Sequence, residues 1–93
     1  MPRNCPRCVR AIEELAQEIR KMTTRDHLAS NVVAKIEIEL QAAIAESKKD
    51  LPDSKLIIGK LNRAKRLIEG VASASGLLNN FSETKTLIKR YLP

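Results

Sequence analysis

The 93-residue sequence predicts an all-α protein, a small antiparallel bundle of three to four helices. Phe81 and Tyr91 are its only Phe, Tyr or Trp residues, so the core must be built from aliphatic side chains, which suits interdigitating helices. Three glycines and four prolines leave little material for the many turns of an all-β fold. Apolar residues recur at helical spacing along most of the chain. We expect a single domain over residues 1–93.

Helix 1 is predicted to begin at Pro6, because proline is favoured at the first helical position and holds the preceding residue extended. Cys5 is then the N-cap. The stripe that should face the core is Val9, Ile12, Leu15, Ala16, Ile19 and Met22. We expect the helix to end within MTTRD, residues 22–26, where Thr23 or Thr24 would cap helix 2.

Helix 2 should run to about Lys48, and it carries two apolar lines. The main line is Leu28, Val32, Ile36, Leu40, Ala43 and Ile44. The second line, on another side of the helix, is Ala34, Ile38, Ala42 and Ala45. Two apolar sides are typical of a central helix in a bundle, or of a helix that shares one face with a second chain.

A clear break follows at residues 49–54, where Pro52 marks a loop and Asp53 or Ser54 can cap the next helix. It separates a helical hairpin over about 6–48 from a second one over about 55–92. The core stripes of that second hairpin are Ile57, Leu61, Ala64, Ile68 and Val71, then Leu77, Phe81, Thr84, Ile88 and Leu92. Between them lies GVASASG, residues 70–76, whose small residues allow a helix to end, to bend or to approach another backbone closely.

The stretch CPRC contains the only two cysteines, Cys5 and Cys8. A thiolate at the N-cap is stabilised by the free N–H groups of the first turn and by the helix dipole. The tetrapeptide resembles the CPxC active-site motif of glutaredoxin-type oxidoreductases, which implies thiol–disulfide chemistry. That family carries the motif after a strand of a βαβ unit, and no strand is predicted here, so we do not predict redox catalysis.

A zinc site needs four ligands, and one CxxC pair supplies two. His27, the only histidine, is expected about 25 Å away along helix 1. Cys5 and Cys8 would therefore bind zinc only between two chains whose N-termini meet. Otherwise no cofactor is expected, and the two cysteines simply begin a helix.

The sequence predicts no enzyme and no small-molecule substrate. It contains no glycine-rich phosphate loop, no nucleophile elbow and no HExxH motif. His27 alone does not supply the positioned partner and pocket that a general base requires.

The net charge of +6 comes entirely from the second half of the chain. Residues 1–47 contain seven Lys or Arg and seven Asp or Glu, whereas residues 48–93 contain ten and four. The candidate basic patch is Lys55, Lys60, Arg63, Arg66, Lys89 and Arg90. Such a stripe could neutralise phosphates, although no aromatic residues for base stacking and no helix-turn-helix accompany it. Nucleic-acid binding is therefore the alternative function.

Association with itself or with another protein is the favoured interpretation. The candidate interface is Ile38, Ala42, Ala45, Gly70, Ser73 and Gly76. The competing explanation is that four helices use all these faces internally. The longest uncharged window, residues 70–82, is too short and polar to span a bilayer, and no targeting segment is visible. The sequence thus predicts a cytoplasmic interaction or adaptor module that self-associates.

Overall fold

The computed structural model describes residues 5–25, 29–70 and 75–92, without the side chains of residues 23–25 and 75. Within these ranges it contains four helices and no strand. They are α1 (Pro6–Arg25), α2 (Ser30–Ser47), α3 (Ser54–Ile68) and α4 (Ser75–Tyr91). The predicted fold class, a small all-α bundle, is confirmed.

The four helices form a closed ring around one core. Each helix packs against its neighbours in the chain, and α4 returns to pack against α1. The Cα atoms span 44 × 20 × 18 Å, a cross-section expected for helices packed side by side at about 8–10 Å. Each helix therefore has two lateral neighbours and one side that faces outward.

The core is formed by the inward stripe of every helix. Its largest fully buried side chains are Phe81, Ile12, Ile19, Met22, Ile36, Leu40, Ile57, Leu61, Ile68 and Ile88. Burial of one such side chain contributes about 1.5–3 kcal/mol. The main predicted stripes are confirmed, while Leu28 and Val71 lie outside the described residues.

The boundary between α1 and α2 differs from the prediction. Thr23 and Thr24 are helical residues of α1 and cap no following helix, so the predicted cap of helix 2 is wrong, whereas the end of helix 1 at Arg25 lies within the predicted residues 22–26. Met22 is buried, and threonine costs a helix only a few tenths of a kcal/mol, so α1 continues to Arg25. The N-cap of α2 is Ala29, whose side chain accepts no capping hydrogen bond.

The start of α3 is fixed by two carboxylates. Asp53 is the N-cap, and its side chain accepts hydrogen bonds from the N–H groups of Lys55 and Leu56 at 3.0 and 3.2 Å. Glu46, buried near the end of α2, accepts the N–H of Asp53 at 3.0 Å and pairs with Lys49 at 2.9 Å. Glu46 thus ties the end of α2 to the loop and to the cap of α3.

Glu46 should make the stability of the bundle depend on pH. The hydrogen bond from Lys49 and that from Asp53 hold the pKa of this carboxyl below its ordinary value, although burial opposes them. The stabilisation is therefore complete above the unfolded-state pKa of about 4.3 and is lost as the pH falls through the lower folded-state pKa. We expect the urea midpoint to fall between about pH 5 and pH 3, and Glu46→Gln to flatten that fall.

Glu83→Gln is the matched control for this pH dependence. Glu83 is exposed, and no side chain of the described residues forms an ion pair with it. Its replacement should keep the wild-type slope of urea midpoint against pH. An equal loss of slope in both variants would contradict the role given to Glu46.

The second hairpin consists of two separate helices, so the four-helix alternative holds and the kinked-helix alternative does not. α3 ends at Ile68 and α4 begins at Ser75. Residues 71–74 of the GVASASG stretch, including Ser73, lie outside the described residues.

Candidate functional site

The outward side of α2 is uncovered, and it is apolar apart from the exposed Asn31, Lys35 and Gln41. Ile38 is 66% exposed, Ala34 and Ala45 are exposed, and Ala42 is partly buried. We call these four residues the outer face of α2. At 100° per residue they lie opposite Ile36, Leu40 and the rest of the buried stripe, so the bundle's own core does not reach them.

Ion pairs border this outer face on both sides. Toward α1, the Arg20 guanidinium donates to Glu37 at 3.1 Å. Toward α3, the Lys60 ammonium lies 3.7 Å from Glu39. Long polar side chains thus fill the two lateral seams of α2 and leave the apolar strip between them open.

Two further exposed leucines follow α2 in the chain. Leu51, in the loop after α2, is 73% exposed, and Leu56, in the first turn of α3, is 44% exposed. With Ile38 they make up three of the four large exposed hydrophobic residues of the described chain; the fourth, Tyr91, is on α4. The sequence analysis did not single out either leucine. Leu56 could have been recognised, because it falls outside the inward stripe of Ile57, Leu61 and Ala64.

The predicted interface residues do not form one patch. Ile38, Ala42 and Ala45 share the outer face of α2, whereas Gly70 follows the carboxyl end of α3 and Gly76 lies in the first turn of α4. Among the described residues, a Cβ added at Gly70 or Gly76 would meet no atom within 4 Å, so no close approach between them requires either glycine. A role for these glycines against a second chain stays a prediction.

The predicted basic patch extends from α3 to α4, and Lys55, Lys60 and Arg63 line one shallow depression on α3. Lys60 points toward α2 and pairs with Glu39. Lys55, Arg63 and Arg66 are exposed on α3, and Lys89 and Arg90 are exposed on α4. No carboxylate among the described side chains pairs with these last five. They remain available to an anionic partner.

Lys85 lies at the seam between α3 and α4, within the electrostatic influence of two other lysines. The Lys85 ammonium donates to Asn62 Oδ1 at 2.9 Å, across the seam. Burial lowers the pKa of Lys85, the charges of Lys65 and Lys89 lower it further, and Glu69 opposes them. We call Lys65, Lys85 and Lys89 the lysine cluster. The sequence does not reveal it, because it depends on the register between two antiparallel helices.

Cys5 and Cys8 are joined by a disulfide bond. Cys5 is the N-cap, as predicted: its Sγ accepts the N–H of Cys8 at 3.1 Å, and its carbonyl oxygen accepts the N–H of Val9 at 3.0 Å. Cys8 is fully buried and Cys5 is 7% exposed. The cytoplasmic location that the sequence predicts would favour free thiols, whereas the structure shows the two cysteines bonded to each other.

The described residues contain no group of three or more His, Cys, Asp or Glu that could hold a metal ion. A disulfide offers no thiolate to zinc, so a shared site would require the reduced cysteines of two chains. That site stays a prediction. His27 lies outside the described residues.

A shallow groove lies between α1 and α4, and sequence reasoning did not foresee it. Its polar lining includes Glu14, Glu18 and Glu83, with Leu15 and Leu87 at its apolar side. Glu18 pairs with Lys21 at 3.5 Å. The groove residues include no nucleophile beside a base, so the arrangement offers solvated carboxylates and no acid–base pair.

Neither hydropathy nor comparison with known proteins assigns a role to these surface features. In the part of the chain that the structure describes, no helix combines the length and the apolar character that crossing a bilayer requires. The chain matches no protein-family model, no curated protein and no solved structure.

Proposed function

We propose that the protein is a cytoplasmic helical interaction module that self-associates through the outer face of α2. The observation that carries this proposal is Ile38, a large aliphatic side chain that is 66% exposed in the middle of an apolar strip. Burial of such a side chain against a partner contributes about 1.5–3 kcal/mol. A two-fold dimer buries it twice, because both chains present the same patch.

An antiparallel pair of α2 helices fits the residues of the outer face. With the two-fold axis near residue 40, Ile38 of one chain lies opposite Ala42 of the other, and Ala34 lies within about one residue of the position opposite Ala45. Each Ile38 side chain then meets an alanine, so the two helix axes can lie close together, at the short end of the usual 8–10 Å range. Lys35 lies at the edge of this contact, where its charge stays in water.

The required contact area extends beyond one helix. A standard interface buries about 800 Å² per partner, roughly one seventh of the 5857 Å² of accessible surface of this chain. Leu56 and the polar residues that border α2 would supply the remainder. We therefore expect a dimer of moderate affinity that dissociates in the micromolar range.

Sedimentation equilibrium of the wild-type protein over about 1–100 µM tests this proposal. We expect the mean mass to rise from one chain to two. Hydrogen exchange at both ends of that range should show added protection in α2, with α4 unchanged. A monomer at all concentrations, or a dimer whose protection lies in α1 or α4, would contradict it.

Binding to a phosphate backbone is the second candidate, and the lysine cluster favours it. The charges of Lys65 and Lys89 disfavour the charge of Lys85, Glu69 offsets this only in part, and a phosphate placed beside Lys85 would relieve the repulsion. Arg63 and Arg66 on the neighbouring surface of α3 lack carboxylate partners among the described side chains. Together they could follow a nucleic-acid backbone without reading its sequence.

Charge reversal separates this candidate from a merely solvated basic face. We expect Arg63→Glu with Arg66→Glu to abolish duplex DNA binding at low salt, because two phosphate contacts are lost and two repulsive charges are added. The control pair, Arg10→Glu with Lys48→Glu, changes the net charge equally at exposed positions on α1 and after α2. Filter binding across a salt series measures both. Equal weakening by the two pairs, or no binding by the wild type, would exclude the candidate.

A further inference from the structure

We propose that the Cys5–Cys8 disulfide is a reversible thiol–disulfide site that accepts two electrons from a dithiol, and that Cys5 is the sulfur attacked. This function is separate from self-association, because the disulfide lies at the start of α1 and the outer face lies on α2.

The first support is the unequal exposure of the two cysteine residues. Both belong to the core cluster that contains Ile12 and Leu92, but Cys8 is fully buried. Cys5 retains 7% of its surface. A thiolate must reach the sulfur that it attacks, so exchange is directed to Cys5 and Cys8 becomes the leaving group.

The second support is the environment of Cys5 Sγ. The N–H of Cys8 already points at this sulfur at 3.1 Å in the oxidised form. Once the disulfide opens, the same N–H and the positive end of the α1 dipole stabilise a thiolate at Cys5. The pKa of Cys5 in the reduced protein is therefore expected to lie below that of a free cysteine.

The third support is that the start of α1 is held by contacts that do not involve the disulfide. The Cys5 carbonyl oxygen accepts the N–H of Val9 at 3.0 Å. Arg7, between the two cysteines, donates to Tyr91 Oη at 2.6 Å, and its guanidinium carbon lies 5.4 Å from the centroid of the Tyr91 ring. These contacts tie the CPRC turn to the end of α4, so reduction should not unfold the helix start.

The reaction conserves atoms and electrons. One thiolate of a dithiol attacks Cys5 Sγ and forms a mixed disulfide, while the electron pair of the Cys5–Cys8 bond goes to Cys8 Sγ, which takes up a proton. The second thiolate of the dithiol then attacks its partner sulfur in the mixed disulfide, and Cys5 leaves as a thiolate. The dithiol ends as a cyclic disulfide, and the protein gains two electrons. An oxidised dithiol reverses both steps.

Single-cysteine variants with a disulfide dye test the assignment. Cys8→Ala leaves Cys5 as the only thiol, and Cys5→Ser leaves Cys8 with serine as a favoured N-cap. We expect Cys5 to react with 5,5′-dithiobis(2-nitrobenzoate) at least about tenfold faster than Cys8, with a pH midpoint below the ordinary value of about 8.5. In denaturant the two rates should become equal. Equal rates in the folded proteins, or an ordinary midpoint for Cys5, would overturn the proposal.

Reversibility is tested on the wild-type chain with dithiothreitol as the dithiol. Alkylation and intact mass should show a gain of two alkyl groups after reduction and none after reoxidation, with unchanged helical circular dichroism throughout. Reduction that occurs only on unfolding would overturn the proposal. So would a reduced protein that takes up one Zn²⁺ per two chains, because that outcome assigns the cysteines to a metal site.

Discussion

Replacing Ile38 by glutamate is expected to leave a folded monomer at concentrations where the wild type is dimeric. The substitution removes the largest apolar group of the outer face of α2 and places two like charges beside a two-fold axis, where each must be desolvated. We expect the dissociation constant to rise at least about a hundredfold, equivalent to about 2.8 kcal/mol. Sedimentation equilibrium measures the change directly.

The matched control is Thr86→Glu, which introduces the same charge at an exposed position on α4. It should leave association unchanged. Both variants should unfold within about 0.5 kcal/mol of the wild-type monomer, since Ile38 makes little contact with its own core. If Ile38→Glu destabilises the monomer but leaves the dimer intact, the exposed strip has another purpose and self-association through α2 is wrong.

The inward half of every helix could be predicted from the sequence because burial imposes a 3.6-residue period. Ile36 and Leu40 on α2, and Leu61 on α3, are examples of buried positions that spacing alone identifies. The same reasoning found the second apolar line of α2 but could not say what covers it. In a closed ring of four helices no other described segment lies over the outward side of α2, and this leaves Ile38 exposed.

Features that depend on the meeting of distant segments could not be predicted. The lysine cluster requires the register of α3 against α4, and the contact of Arg7 with Tyr91 joins the two ends of the chain. The N-cap of α2 is an alanine, which carries no capping oxygen, so nothing in the residue type marks it. The cap at Asp53 was recognisable because its carboxylate provides that oxygen.

Replacing Phe81 by alanine is expected to lower the free energy of unfolding by about 3–5 kcal/mol. Phe81 is the only phenylalanine, is fully buried, and lies on the inward stripe of α4. Its neighbours in the core are aliphatic side chains held by helices that pack on both sides, so they cannot collapse fully into the space. A domain of this size has about 5–14 kcal/mol in total, so urea denaturation should show a large loss.

Phe81→Leu tests whether the loss of stability comes from the cavity or from the missing ring. Leucine retains most of the buried apolar volume, so this variant should lose less than about 1.5 kcal/mol. Thr86→Ala, at an exposed position one turn further along α4, should lose less than about 0.5 kcal/mol. If Phe81→Ala costs no more than Phe81→Leu, the bundle closes around the vacancy, which would require α4 to move against α1 and α3. In that case the contact of Tyr91 with Arg7 should weaken as well, because it joins the end of α4 to the start of α1.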